Sequence, residues 1–456
     1  MKYFLKLLTV ILLINSTSIG LIGCTIPSIG DVWIITDGGD LFDKAFNQQV
    51  LEGSEEFTKT FNDNRTVISN LPGNEVWKNK TMKTRWIISR DTNVSTLQNN
   101  YNLATFAGAK TIIVVGFNHL GALTPAIQNQ YKKLGVRFIL VDAKLENPID
   151  VATLTYSAEQ SGFLSALVGA IWLAANHEVY YDDNGLKMST FGGLPAATII
   201  SYMMGYYWGV YYFNQYRNRN NDLLVMTNEL RSEKGKIGIT KADFISNKFK
   251  IYFDKIAKQF TGSFESGTKS SKAITSQLID GYKDDIVMPV AGAQTIDLVS
   301  AVKNSTTNSK AKIIGVDVDQ SVQYSYAKDT FITSALKGIH KSVATWLWYS
   351  FNLDYNGDSN IPVIVATDGD KYFNGSIPQP ALGGEQYLGI ADNDPISTIY
   401  NKLIKDSNDY WLLAEKVTVA YNKLVNDLAT VATPDKWENA WKNDIDQTVE
   451  TYKPHF

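Results

Sequence analysis

The stretch Val32-Trp33-Ile34-Ile35-Thr36-Asp37-Gly38-Gly39-Asp40-Leu41-Phe42-Asp43-Lys44-Ala45-Phe46-Asn47 sets the reading of the whole chain. A β-branched run, Val32 to Ile35, stops at a polar, glycine-rich turn, and a helical pattern begins behind it. The glycines let the chain turn tightly and let a ligand approach the backbone. Asp43 is placed to cap the helix while facing whatever lies beyond the strand end. Phe46 and Asn47 then offer one aromatic face and one amide, a pairing suited to a flat ligand with polar edges. The same residues also suit a capped helix start with a core phenylalanine, and the residues alone leave both readings open.

Working outward, the pattern repeats. Further candidate strands are Arg85 to Ile88, Thr111 to Val115, Arg137 to Val141, Ser189 to Phe191, Lys236 to Ile239, Ile286 to Val290, Ile313 to Val316 and Pro362 to Ala366, with longer amphipathic stretches between them. Such alternation predicts βαβ units and parallel sheets. In open α/β sheets ligands sit beyond the carboxyl ends of the strands. The phrases to watch are therefore Asp37-Gly38-Gly39, Gly116-Phe117, Val141-Asp142, Gly192-Gly193, Ala291-Gly292 and Asp317-Val318-Asp319. Tyr211 to Lys248, rich in Asn, Arg and Lys, reads as an insertion, and Asn70 to Lys83 as a smaller one. Helical spacing with several tryptophans from about Pro395 to Asp444 reads as terminal helices packed on one lobe.

The 456 residues allow about three domains or two large lobes, at roughly 150 residues each. With 44% hydrophobic and 20% charged residues the composition is that of an ordinary globular protein. Lys and Arg number 43 against 46 Asp and Glu, so no basic excess exists to neutralise phosphates, and a nucleic-acid polymer is not an expected partner. The first residues, Met1-Lys2-Tyr3-Phe4-Leu5-Lys6, an apolar run from Leu7 to Ile14 and the ending Leu21-Ile22-Gly23-Cys24, have the parts of a secretory leader. That run is shorter than the roughly 20 apolar residues needed to span a bilayer. The single cysteine, Cys24, excludes an intramolecular disulfide and a multi-cysteine metal site.

Leu21-Ile22-Gly23-Cys24 resembles the lipobox of bacterial lipoproteins, which implies cleavage before Cys24 and a diacylglycerol on its thiol. The loop quoted at the outset resembles the Asp-x-Gly-x-x-x-Asp-Lys-Ser-Phe-Asn signature of the basic membrane protein family, the substrate-binding lipoproteins of certain ABC transporters, including purine-nucleoside receptors. Further phrases match in order: Glu159-Gln160-Ser161-Gly162-Phe163-Leu164, Phe191-Gly192-Gly193, Gly205-Tyr206-Tyr207-Trp208-Gly209, Gly262-Ser263-Phe264, Pro289-Val290-Ala291-Gly292, Gly315-Val316-Asp317-Val318-Asp319-Gln320 and Thr333-Ser334-Ala335-Leu336-Lys337.

The resemblance implies an α/β chain with the type I periplasmic-binding-protein fold: two Rossmann-like lobes with parallel sheets, a ligand cleft between them, and extra C-terminal helices. The implied boundaries are a leader over 1–23, a tether over 24–30, a first lobe over 31–142, most of the second over 143–317, a return to the first over 318–352, a return towards the second over 353–394, and terminal helices over 395–456. It implies Phe46 and Phe264 sandwiching a base, Asp43 and Asn47 binding base or ribose, Gly292 offering backbone, and Asp317 with Lys337 holding ribose hydroxyls. Ala45 stands where the family has Ser, and Gly121 where its nucleoside receptors carry a purine-reading Asp, which leaves Asn118 and His119 as substitutes. The implied setting is a monomeric receptor on the extracellular face of the cell membrane, anchored through Cys24, delivering a nucleoside to an ABC permease and its ATPase. A sugar or free nucleobase receptor, and a surface-display lipoprotein, are the alternatives.

Catalysis is not expected. Asp37, Asp40 and Asp43 are similar to the aspartate-rich start of calcium-dependent nucleoside hydrolases, but two glycines interrupt them and a dense oxygen cage is missing. There is no Gly-x-Ser-x-Gly elbow, and His119, His177, His340 and His455 lie in no motif. Asp182-Asp183-Asn184-Gly185 and Asp354-Tyr355-Asn356-Gly357-Asp358 lack the glutamate of a calcium loop and read as turns. No cofactor or metal is implied.

Overall fold

Two largely parallel sheets built to the same plan carry the chain, the second with one antiparallel edge strand. The computed structural model describes residues 30–182, 185–253, 259–354, 364–365, 381–384, 387–405, 409–429 and 454. Cys24, the leader and His455 lie outside the described residues.

The first lobe runs β1 (Val32–Thr36), α1 (Phe46–Asp63), β2 (Thr84–Ile87), α2 (Val94–Phe106), β3 (Thr111–Val115), α3 (Pro125–Lys133), β4 (Arg137–Val141) and β5 (Val151–Tyr156). The chain then crosses through α4 (Ala158–Ala175) into β6 (Leu186–Gly192), α5 (Ala197–Tyr216), α6 (Asn221–Glu233), β7 (Ile251–Tyr252), α7 (Lys269–Ser276), β8 (Ile286–Val290), α8 (Thr295–Asn304), β9 (Lys312–Asp317) and β10 (Phe331–Lys337). It returns with α9 (Ile339–Ser350), makes a small hairpin, β11 (Leu353–Asp354) with β12 (Ile364–Val365), and adds β13 (Ala381–Leu382), β14 (Leu388–Ile390) and α10 (Asp409–Ala429).

The six-stranded sheets have the orders β13-β5-β4-β3-β1-β2 and β14-β10-β9-β8-β6-β7. Strand order therefore reverses beside β1 in one lobe and beside β6 in the other, the places where doubly wound sheets bind ligands. The turns Asp37–Asn47 and Gly192-Gly193 leave from those two strands. The inner strands β1, β3 and β8 are buried along their lengths because helices cover both faces.

The crossings differ from the expected boundaries. Val151–Tyr156 pairs with β4 inside the first sheet, and Phe331–Lys337 pairs with β9 inside the second, so the lobes change over at Ser157 and Gly338 rather than at 142 and 317. Only α9, which lies along α1, returns to the first lobe from the 318–352 stretch. Threonine and serine hid these strands. In β10 the hydroxyls are satisfied by backbone, Thr333 donating to Ala391 O (2.7 Å) and Ser334 Oγ accepting from Gln320 N (3.1 Å), so these polar residues sit in the core. β13 joins the first sheet and β14 the second, making residues 383–387 a third crossing. The three are tied together: Ser157 N donates to Leu382 O, Gly338 N to Tyr387 O, and Ser161 Oγ to Leu336 O.

Lys236–Ile239 is not a strand. Its backbone is held by side chains of α6: Ile239 N and O bond both ends of the Asn228 amide, and Arg231 Nε donates to Ile237 O (2.7 Å). Of Pro362 to Ala366, Ile364 and Val365 form β12, which lies outside both large sheets, and the others lie outside the described residues.

Every residue of α4 is buried, so its apolar composition, sufficient on paper for a membrane span, belongs to a core helix. It packs lengthwise on α5 at backbone distance. A side chain at Gly162 would strike the Tyr202 carbonyl, one at Gly205 the Glu159 carbonyl, and one at Gly209 the Phe163 carbonyl. Backbone cannot yield as a side chain does, so Gly205→Ala is expected to lower stability by about 1–3 kcal/mol. Urea denaturation with an unchanged slope would register it.

Candidate functional site

The loop after β1 is organised by one carboxylate. Asp43 accepts from the backbone N–H groups of Ala45 (2.9 Å), Asn47 (3.1 Å) and Gln48 (3.2 Å), so it caps α1 as expected. It also accepts from Asn47 Nδ2 at 2.9 Å, which turns that amide's oxygen outward. Asn47 Oδ1 is buried without a protein partner among the described residues, an acceptor waiting for a donor. Burial lifts the Asp43 carboxyl to about 6 against the pull of those hydrogen bonds. Asp37 and Asp40 serve other ends: Asp37, its carboxyl also raised by burial, accepts from Asn118 N and Nδ2, and Asp40 accepts from Phe42 N.

Where the lobes meet, Lys337 at the end of β10 is buried among charges and rings. Its Nζ lies 3.2 and 3.1 Å from the two oxygens of Asp142, at the end of β4, and 3.8 Å from Asp317 Oδ1, at the end of β9. The ammonium faces the rings of Tyr202 (5.0 Å), Tyr156 (5.5 Å) and Phe46 (5.7 Å). Burial raises both carboxyls, and Lys337 draws both back. Tyr202 Oη donates to Asp317 Oδ1 (3.2 Å), and Gln49 Nε2 of the first lobe donates to Asp317 O (2.9 Å). Phe46 and Lys337, far apart in sequence, thus meet.

Opposite stand the turns of the second lobe. Gly193 leaves room for the ring of Phe264, whose Cε1 would lie 2.5 Å from any Cβ there. Gly292, at φ +45°, faces Ala45 across the cleft, with only 3.5 Å between a Cβ placed on it and that of Ala45. The Lys44 ammonium lies 5.6 Å from the centre of the Tyr324 ring, a further contact between the lobes.

Two expected ligand residues are engaged elsewhere. Asn118 gives its backbone N–H and its side-chain Nδ2 to Asp37. His119 is fully buried inside the first lobe, with Nε2 3.1 Å from Ile35 O and Nδ1 2.7 Å from Tyr101 Oη. The carbonyl can only accept, so Nε2 carries the hydrogen and Nδ1 accepts from the tyrosine. Neither nitrogen remains for a ligand, and burial pushes the imidazole down to about 3. Asp142, Tyr156, Tyr202 and Gln49 were not among the expected site residues. Only Asp142 had a signal, its place at a strand end.

The family profile described as "ABC transporter substrate-binding protein PnrA-like", Bmp, matches residues 31–218. Over those residues the chain is similar to the Bmp family. A lipoprotein of Mycoplasma pneumoniae, the MG040 homologue, is 24% identical over 378 residues, covering 68% of this chain and 54% of its own. The nucleoside-binding protein BmpA of Lactococcus lactis is 23% identical over 293 residues, covering 64% of each chain. The chain thus spans a little over half to just under two thirds of the length of these relatives. A solute-binding protein of an ABC transporter system from Aeropyrum pernix superposes with a TM-score of 0.56 at 17% identity, over 88% of this chain and 98% of its own. The fold is that of type I periplasmic-binding proteins.

His119→Ala is expected to cost about 2–4 kcal/mol through the cavity and the orphaned Tyr101 and Ile35 groups. In the wild type the unfolded imidazole protonates near 6.5 and the folded one only near 3, so stability falls as pH drops between those values. Denaturation at pH 5 and pH 8 should show that acid loss in the wild type and its absence in the variant. Asp43 has the opposite sign: its folded value near 6 lies above the usual 3.8, so its contribution is present below 3.8 and is lost as pH rises through 6. The stability of wild type relative to Asp43→Asn should fall across that interval.

Proposed function

We propose that this chain is a member of the Bmp family, the lipid-anchored, extracytoplasmic receptor of an ABC importer, and that its cleft takes a nucleoside and hands it to a permease with its ATPase. One observation supports the reading most: a buried ammonium between two carboxylates stands where the lobes meet, beside a loop that presents Phe46 and the unpartnered Asn47 Oδ1. A carboxylate that accepts and an ammonium that donates suit the vicinal hydroxyls of ribose. Asn47 Oδ1 accepts from an N–H on the ligand's edge, and Phe46 and Phe264 supply faces for a base. Stacking contributes about 1–3 kcal/mol per base. The nucleoside named for the Lactococcus relative supports the same class. The lobes open and close about the three crossings, and the closed shape is what a permease recognises. Cys24 carries the lipid that keeps the receptor at the outer face of the membrane. The site binds and releases its ligand unchanged.

Thermal unfolding of the full chain in detergent tests this, after any bound ligand has been removed by unfolding and refolding. Ligand at about 100 times its dissociation constant adds roughly 2.7 kcal/mol, a shift of a few degrees. Nucleosides should shift the transition, with free bases and sugars well behind. No shift with any of them contradicts the reading and favours a display lipoprotein. Asp317→Ala should weaken ribosylated ligands far more than free bases; equal losses would remove Asp317 from the ribose.

A further inference from the structure

Of the two carboxylates at the cleft floor, the one that grips Lys337 comes from the other lobe. Both oxygens of Asp142 lie within 3.2 Å of Nζ, whereas Asp317 Oδ1 is 3.8 Å away. Asp142 follows β4 of the first sheet and Lys337 ends β10 of the second, so their bond spans the cleft. Asp142 and Asp317 occupy equivalent strand ends, and both backbones are left-handed, at φ +63° and +65°. L-residues rarely adopt that conformation, yet here it aims one carboxyl from each lobe at the same ammonium. Asp317 Oδ1 is taken by the Tyr202 hydroxyl, while Oδ2 has no protein hydrogen bond among the described residues. The rings of Tyr202, Tyr156 and Phe46 close in the rest of the lysine, which is 2% exposed.

Resting on the nucleoside reading of the cleft, we propose that Asp142 is its positioning and charge-selecting residue. It fixes the ammonium on the first-lobe side, which leaves Asp317 Oδ2 to accept ligand hydroxyls. It also consumes the positive charge that would otherwise attract a phosphate. Two carboxylates share one ammonium, so a phosphorylated ligand meets no spare counter-charge in a poorly solvated site. The ligand class is the neutral nucleoside, with its monophosphate refused.

The test is calorimetric titration of the full chain in detergent, freed of bound ligand, with guanosine and adenosine and with their 5′-monophosphates. The wild type should prefer the nucleosides by about 100-fold or more. In Asp142→Asn nucleoside affinity should fall about tenfold and the monophosphates should gain, collapsing the ratio. Asp142→Glu keeps the charge but displaces the ammonium, so it should weaken nucleosides while still refusing monophosphates. Asp285→Asn removes a buried carboxyl at the far end of the second sheet, where it holds Lys187 N, and should leave the ratio unchanged. A wild type that binds both ligand classes alike overturns the proposal whether or not Asp142→Asn folds, as does a folded Asp142→Asn chain with the wild-type ratio. A wild type that binds neither class overturns the nucleoside reading instead.

Discussion

The Lys337 ammonium, shut away between Asp142 of one lobe and Asp317 of the other, is the constraint on which the rest of the molecule depends. Removing such a charge from water costs several kcal/mol, and the attraction repays it only where partners are close and well aligned. The alignment needs β4, β9 and β10 to end at one place. That in turn needs two sheets wound to the same order with their carboxyl edges face to face. A hydrophobic residue would fill the same volume at less cost, so stability alone does not account for the cluster.

Around it the fold supplies rigidity. α4 and α5 approach at backbone distance through Gly162, Gly205 and Gly209, and α4 bears Glu159, which is buried and accepts hydrogen bonds from Ser201 and from Thr418 of α10. The first residues of α4 thus join the second lobe, the terminal helix and, through Ser161 and Gln160, the other crossings. The helix that leads from one lobe to the other is thereby held at its start by several partners, close to the strand ends that carry Asp142, Asp317 and Lys337.

Much of this was legible in the sequence. Strand ends marked by Asp and Gly pointed to the cleft edge, since glycine and short polar residues favour the left-handed backbone found at Asp142, Asp317 and Gly292. Asp43 showed itself as a cap because an acidic residue before a helical pattern has few other uses. The two strands that were overlooked contain Thr and, in β10, Ser, and a buried hydroxyl bonded to backbone, as at Thr333 and Ser334, is invisible to hydrophobic periodicity. His119 was misplaced for a related reason: a histidine beside a strand end reads as a ligand, and only Tyr101 and Ile35, distant in sequence, show it to be core. Tyr202 and Tyr156 reach Lys337 from the interiors of a helix and a strand that local pattern gives no cause to single out.

The most direct measurement is a crystal structure of the chain with the nucleoside that stabilises it most. The ribose hydroxyls are expected within hydrogen-bond distance of Asp317 and Lys337, with the base beside Phe46 and an N–H donated to Asn47 Oδ1. A ligand bound away from Lys337, or one that turns its base towards the cluster and its sugar to solvent, would contradict the account.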